Sequence, residues 1–457
     1  MSEPSSVRLR LALVDVNNFY VSCERAFDPT LEGRPVVVLS NNDGCVVARS
    51  EEAKRAGIKT GTPWFQVQGR AAALGLVARS SNYELYGDMS ARVMEVIGRF
   101  GAWQEVYWID ESFIGLPGDE AMLRHTAGRI RQAVWRHVGV PVCVGVAPTK
   151  TLAKFANHVA KRNPGLGGVC SLGSVPDEEI RRIQSRVPVT GLWGVGGRTG
   201  HRLKALGIDT IADLRDADPL MIRKKFSVVL QRTVLELNGT PCIPEVEERA
   251  DKAQIMFSRS FSTPVTTAAD MDQVMALYAQ RGAARLAAEG LRASMLTVSA
   301  GVSRFAAAEN AAGAGETGAG EGTGIPTPGP GTLNPDTPNP AVSVRLPAPT
   351  QDPIVLTRAA VAAMRGRMVP GTRYVRAGVM FSGLEPATGQ STFDAFAGEG
   401  DHRDMGTLLG DVRARFGEAA IGLGHAGLAE PAGWSMKREF ASPRYTTDWA
   451  DLPIVSA

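Results

Sequence analysis

The sequence predicts an α+β multidomain protein, and three observations carry that expectation. Apolar runs of strand length alternate with helical stretches through roughly the first third of the chain. A basic, glycine-punctuated stretch of short helices follows. A third region reads strand, helix, strand, strand, helix, strand, the order of a small sheet backed by two helices.

Taken in order, strand-like runs fall at 10–16, 35–40, 44–49, 105–115 and 141–147, with helical stretches near 19–26, 50–56, 86–100 and 119–138. That alternation fits either an α/β or an α+β first domain. In TKTLAKFANHVAKR, 149–162, Leu152, Phe155, Ala156 and Val159 recur at helical spacing, while Lys150, Lys154, His158 and Lys161 form a separate basic stripe. Short helices and glycine turns occupy 174–240. At their centre GVGGRT leads into a helix with Leu203 and Leu206, offering backbone N–H groups suited to phosphate, although glycine-rich connections also serve packing alone. A charged linker spans 244–253. The third region then reads strand 254–262, helix 266–290, strand 293–303, strand 341–346, helix 352–365 and strand 372–382. Between its second and third strands, 21 of the 35 residues 306–340 are Ala, Gly or Pro, so the segment is expected to be a disordered hairpin-tip insertion. Residues 383–457 read as irregular.

The totals restrict function. With 44% hydrophobic and 21% charged residues, the chain has the balance of a soluble globular protein. Cys23, Cys45, Cys143, Cys170 and Cys242 are odd in number and never spaced CxxC, which argues against a disulfide framework or zinc cluster and for a reducing, cytoplasmic setting. No apolar run approaches the roughly 18 residues of a membrane span, and the start lacks a signal peptide, so no membrane partner is expected. A net charge of +3 hides a local excess: 149–240 holds 15 Lys and Arg against 8 Asp and Glu, which suits a polyanion.

The chemistry-bearing residues are acids on apolar strands. Asp15 ends the run LALVD, and Asp110 and Glu111 sit together in VYWIDESF. Carboxylates gathered at strand ends near a basic surface are what a pair of divalent metals on phosphates requires. The residue types alone fit better with Asp15 as cap of the helix that begins near Asn17–Phe19 and Asp110 and Glu111 as solvent-exposed strand-end residues, since caps are far commoner than metal sites. Neighbours on a strand point to opposite faces, so Asp110 and Glu111 converge only if the strand ends or twists between them.

The runs DVNNFYVSCE, VVVLSNNDGCVVAR, EEAKRAGIKTGTPWF, SSNYELYGDMS, IDESF, GVAPTKTLAKFANHVAK and SMKREFASPRYTT together resemble the Y-family DNA polymerases, and the last run the UmuC branch, the catalytic subunit of DNA polymerase V. The resemblance implies a right-hand polymerase: palm over 9–30 and 81–173, fingers 31–80, helical thumb 174–243, little finger 254–383 and a tail 384–457. It implies error-prone translesion synthesis in an SOS-type damage response, with two Mg²⁺ ions held by Asp15, Asp110, Glu111 and the Val16 carbonyl. Asn18, Phe19, Tyr20, Lys54 and Lys161 would hold the incoming dNTP, with Tyr20 as steric gate against a ribose 2′-OH. Gly194, Gly196, Gly197, Arg198, Arg345, Arg373 and Arg376 would contact primer–template DNA. The implied protein partners are a UmuD′-like dimer, RecA and the sliding clamp.

Three departures stand out. Trp108 precedes Ile-Asp-Glu where Y-family members usually have Ser. Glu51 replaces a triphosphate-contacting Tyr of other branches. The clamp-binding peptide is only partly matched by GQSTFDAF, 389–396, with Gln390, Phe393 and Phe396. A polymerase-shaped adaptor without catalysis is the competing class; it is expected to have lost the acids, which are all here. A metal-dependent phosphohydrolase would want a second acid two residues after Asp15, where Asn17 stands.

Overall fold

The computed structural model describes residues 9–245, 252–302, 339–387, 405–416, 421–424 and 432–452. They divide into two compact units, the first comprising 1–40, 44–249 and 440–457, the second 41–43 and 250–439. The expected insertion 306–340 lies outside the described residues except for Asn339 and Pro340, as do the clamp-like segment 389–396 and most of the linker.

The first unit is organised by a sheet in the order β5-β6-β1-β7-β8, with β1 Arg10–Val16, β5 Gln104–Trp108, β6 Glu111–Leu116, β7 Val142–Ala147 and β8 Val169–Ser171. Only β7 and β8 run parallel among its neighbouring pairs. Alternation along β1 sends Ala12, Val14 and Val16 to one face, where they pack with α4 Tyr83–Gly98 and α5 Glu120–Val138. Leu13 points the other way, with Phe113 and Cys143, against Leu152, Phe155 and Ala156 of α6 Lys150–Arg162. Asp15 shares that second parity. Helix α6 comes unusually close because β7 carries Gly145, where an added Cβ would lie 2.2 Å from the Asn157 backbone nitrogen and 2.4 Å from the Ala153 carbonyl oxygen. The buried Asn157 side chain donates to the carbonyls of Cys143 and Leu13 at 2.8 and 3.3 Å, tying α6 to both strands.

A smaller sheet, β3-β2-β4 with β2 Val36–Leu39, β3 Val46–Arg49 and β4 Val77–Ser80, packs on α2 Glu51–Arg55 and α3 Trp64–Leu74 around Val37, Leu39, Ile58 and Val67. Five short helices follow: α7 Asp177–Gln184, α8 Gly197–Lys204, α9 Ile211–Asp216, α10 Pro219–Lys225 and α11 Val228–Leu237. Ser, Thr or Asp side chains cap α9, α10 and α11, each such cap contributing about 1 kcal/mol.

The second unit has an antiparallel sheet in the order β11-β10-β12-β9, from β9 Gln254–Val265, β10 Leu291–Val302, β11 Ala341–Thr350 and β12 Tyr374–Pro386. Helix α12 Ala268–Ala288 and helix Pro353–Met364 cover one face through Leu296, Val298, Val379 and Phe381. This is the strand-helix-strand-strand-helix-strand order expected from sequence.

Four local expectations need correction. The run 105–115 is two antiparallel strands, not one, turning at Ile109 and Asp110 without a Gly or Pro to mark the turn. Strand β4 (VARS) was not anticipated, because Arg79 and Ser80 mask its short apolar pattern, nor was α3, whose start at Pro63 offers no polar cap and whose middle holds Gly69. Residues 383–457 are not wholly irregular: Met405–Phe416 is helical. Finally, the basic stripe of α6 is not one surface: Lys150 is 1% exposed and pairs with Glu105 at 2.5 Å, while Lys161 is exposed.

Candidate active site

The strand break between Trp108 and Glu111 answers how adjacent acids converge. Glu111 opens β6 and is the direct cross-strand partner of Asp15, so the two carboxylates share the sheet face that meets α6. Asp110 sits in the turn just before, and its carbonyl accepts from the Val16 N–H at 2.9 Å, locking the turn to the end of β1. The cap alternative for Asp15 does not hold: the N-cap of α1 Phe19–Phe27 is Asn18, in the left-handed region at φ 49° and with no side-chain capping bond.

Charge is balanced across the α6 interface. Lys161 donates to Asp15 Oδ1 at 2.5 Å, and Lys154 to Glu111 Oε2 at 2.6 Å. The Lys154 ammonium also lies over the rings of Tyr107 and Trp193, 4.6 and 5.0 Å from their centroids. Burial pushes the Asp15 carboxyl up to about 7; Lys161 opposes the rise, and the Glu111 and Asp110 charges add to it. Asp110 is also raised, by burial first and then by the Glu111 charge. Acids this close and this buried repel one another, which is how a site looks when it is arranged for added positive charge.

Whether these residues suit divalent cations is decided by their donor chemistry. Among the described residues no three His, Cys, Asp or Glu side chains close on one point as placed. The set is nonetheless all hard oxygen, and two of its three carboxylates already hold an ammonium group. With the Val16 carbonyl, this is the oxygen-donor chemistry that a divalent cation takes.

Beside the acids lies the start of α1. No acidic residue occupies its first turn and no side chain caps its N-terminus, so the positive end of the helix dipole there favours an anion. Lys54 of α2 reaches this point: its Nζ donates to Asn18 Oδ1 at 2.7 Å and to Glu51 Oε1 at 2.6 Å. Glu51 also accepts from the Asn18 amide at 3.2 Å. Phe19 is buried in the core, so its side chain is closed to a ligand. The Tyr20 ring is partly buried and stacks on Tyr86 at 4.3 Å and 14°, with Tyr83 edge-on at 6.4 Å. Trp108 is largely exposed and is the cross-strand partner of Glu111 on β5.

The glycines of GVGGRT are not there for packing. Gly194 has φ +82°, and Cβ atoms added at Gly194, Gly196 or Gly197 would meet nothing within 4 Å; Gly196 caps α8, leaving open amides beside the exposed Arg198. In the second unit, Arg345 is the register partner of Met295 and Arg376 that of Gly301, which puts both on the sheet face opposite the helices, with Thr297, Ser343 and Met380. Arg373 is exposed just before β12.

Sequence reasoning missed Lys154 as partner of Glu111, and Tyr86 as the surface under Tyr20. The helical spacing of Lys154 and Lys161, seven residues apart on the α6 stripe, was a usable signal for the first.

The impB/mucB/samB family matches residues 14–158, its C-terminal domain 252–392, and a domain of unknown function, DUF4113, residues 406–455. Protein UmuC of Salmonella typhimurium is 39% identical over 447 residues, covering 96% of this chain and 99% of that one. Protein SamB of the same organism is 40% identical over 445 residues, covering 97% and 98%. A solved Y-family DNA polymerase chimera of Dbh and Dpo4 superposes with a TM-score of 0.60 at 19% identity, over 82% of this chain and 99% of that one, a likeness of fold. Fold and sequence together define a Y-family DNA polymerase. Within that class the chain belongs to the impB/mucB/samB family, the UmuC branch.

Proposed function

We propose that this protein carries out template-directed, lesion-tolerant DNA synthesis at the site formed by Asp15, Asp110 and Glu111. The observation that carries the proposal is the pairing of Asp15 with Glu111 on one sheet face, beside the unblocked N-terminus of α1. Asp15, Asp110, Glu111 and the Val16 carbonyl would hold two Mg²⁺ ions, which when bound favour loss of the primer 3′-OH proton and stabilise the departing pyrophosphate. Asn18, Phe19 and Tyr20 present backbone amides to the triphosphate of the incoming dNTP, and Lys54 and Lys161 supply cations once released from Glu51 and Asp15. Tyr20 stands as gate beneath the sugar. The hydroxyl attacks the α-phosphorus in line, one P–O bond forming as the bond to pyrophosphate breaks.

The domain limits follow the same reading: palm 9–30 and 81–173, fingers 31–80, thumb 174–243, little finger 254–383. The amides of α8 with Arg198, and separately Arg345, Arg373 and Arg376 of the second unit, would each contact the backbone of primer–template DNA. Likeness to proteins named UmuC extends the proposal to a cytoplasmic SOS role with a UmuD′-like dimer, RecA and the sliding clamp as partners. Among the described residues no helix is long and apolar enough to cross a membrane.

Primer extension on undamaged and abasic templates, wild type against Asp110→Ala, with and without accessory subunits, tests the reading. Extension that depends on Asp110 is expected. A wild-type chain that binds primer–template yet extends nothing under any condition would leave the adaptor class instead.

A further inference from the structure

The aromatic ring proposed as gate is supported from behind, and the support leads to the far end of the chain. Tyr20 stacks on Tyr86, a residue with no exposed surface. The Tyr86 hydroxyl donates to Glu24 Oε1 at 2.7 Å. That same oxygen accepts from the Ser442 hydroxyl at 3.1 Å, more than four hundred residues away in sequence. Glu24 is itself 1% exposed, and its other oxygen faces Arg79 at 3.9 Å. A buried carboxylate with few partners holds each of them firmly, because a lost hydrogen bond there is not replaced by water.

Residues 440–445 make further contacts that fix the same region. The Phe440 N–H donates to the Ser80 hydroxyl and its carbonyl accepts from the Ser80 N–H, both at 3.0 Å. The Asn82 amide, at the N-cap of α4, donates to the Ser442 hydroxyl at 2.9 Å and to the Pro443 carbonyl at 3.1 Å. The Tyr445 ring stacks on Phe27, the last residue of α1, at 4.8 Å and 5°. The strap therefore joins the end of α1 to the beginning of α4, the two helices that carry Tyr20 and Tyr86. It falls inside the span that matches a domain of unknown function.

We infer that the terminal strap is a specificity device: Ser442, Glu24 and Tyr86 are positioning residues that hold the Tyr20 ring where it excludes a ribose 2′-OH. The inference rests on the reading of Tyr20 as the gate. A gate discriminates by a steric margin of less than an ångström, so a ring free to recede admits ribonucleotides while leaving deoxynucleotide chemistry, which does not touch it, nearly unaltered.

The test is single-nucleotide insertion by the full chain opposite template G, with dCTP and rCTP compared by the ratio of their kcat/KM values. Variants are Ser442→Ala, Ser442→Thr, Tyr86→Phe and, as reference, Tyr20→Ala. Tyr86→Phe keeps the ring and removes only the hydroxyl, and thermal unfolding of each variant verifies that it is folded. Loss of one such hydrogen bond is expected to lower discrimination about three- to tenfold in Ser442→Ala and Tyr86→Phe, with dCTP insertion changed less than about twofold. Ser442→Thr, which keeps the hydroxyl, should restore the wild-type ratio. If Tyr20→Ala loses discrimination but Ser442→Ala and Tyr86→Phe keep it, or lose both substrates in parallel, the strap is merely structural and the inference is overturned. If Tyr20→Ala itself keeps the wild-type ratio, the gate reading has failed, and the brace with it.

Discussion

The two principal sheets of this protein use their faces in opposite ways. The five-stranded sheet of the first unit is covered on both sides, and two of its strand-end acids, the buried Asp15 and the half-buried Glu111, each meet a lysine of α6. The four-stranded sheet of the second unit is covered on one side, and its other face carries Ser, Thr, Met and Arg in contact with solvent. Buried charge sharpens electrostatics and suits chemistry at one point. Exposed arginine on a smooth sheet suits a long, repetitive anion whose sequence is not read. A polymerase requires both, and keeping them on separate sheets lets each surface be altered without the other.

That separation can be broken by experiment. The largest effect is expected for Asp110→Ala, which should reduce primer extension on the order of a thousandfold or more, the several kcal/mol a metal clamp contributes, while leaving DNA affinity unchanged. An equal loss of DNA binding would mean the two sheets are not functionally distinct. Next is the buried Lys150–Glu105 pair: Lys150→Met strands a carboxylate beneath α6 and should cost about 3–5 kcal/mol in urea unfolding. Adding Glu105→Gln should recover much of that loss; no recovery would show that Lys150 acts through its contacts with Phe113 or the Pro244 carbonyl instead.

Smaller, and confined to the second sheet, is the triple change Arg345→Ala, Arg373→Ala and Arg376→Ala. It should lower the slope of log K against log salt for primer–template binding by about 2–3 with insertion chemistry intact once DNA is saturating. An unaltered slope would remove this face from the DNA surface. The pH dependence of Asp15 sharpens the first sheet further. Its carboxyl rises from an ordinary 3.8 to about 7 on folding, so the folded state binds the extra proton between those values and this residue's contribution to stability is lost as pH rises through them. Asp15→Asn, assayed by thermal unfolding with chelator present, should raise Tm by a few degrees at about pH 8 and by almost nothing at about pH 4. The smallest effect belongs to the insertion. Its ends meet, since the Val302 N–H donates to Asn339 Oδ1 and the Ala300 N–H to the Pro340 carbonyl, both at 3.0 Å. Replacing 306–337 with a short Gly-Ser bridge should leave primer extension at the wild-type level; a large loss would assign that segment a ligand.

Sequence carried the architecture where pattern is local. The alternation of β1, the apolar spacing of α6 and the element order of the second unit could be read directly, and the acids were found because ionisable residues are conspicuous in apolar strands. What could not be read depends on approach between distant segments. Lys154 and Lys161 read only as members of a basic stripe, because nothing local reveals that β1 and β6 put Asp15 and Glu111 opposite them. The turn at Ile109 and Asp110 bears no Gly or Pro, and its position is set by pairing with β1 through the Val16 N–H. Ser442 lies in the run SMKREFASPRYTT that carries the family resemblance, but nothing in that run reveals its contacts, since its partners Glu24 and Asn82 lie at the other end of the chain.

Gly145 shows how far such an approach extends its influence. Its absent side chain allows α6 to rest directly on β7, and the length of a lysine then matches the distance from that helix to the acids. The residue is in effect a gauge block of zero thickness, setting a tolerance for parts that it never touches. An inherited Gly145→Ala, chemically the mildest of replacements, would lift the helix and detune two ion pairs at once, so a survey of natural variants that ranks positions by the chemistry of their side chains would pass over one of the most exacting sites in the molecule.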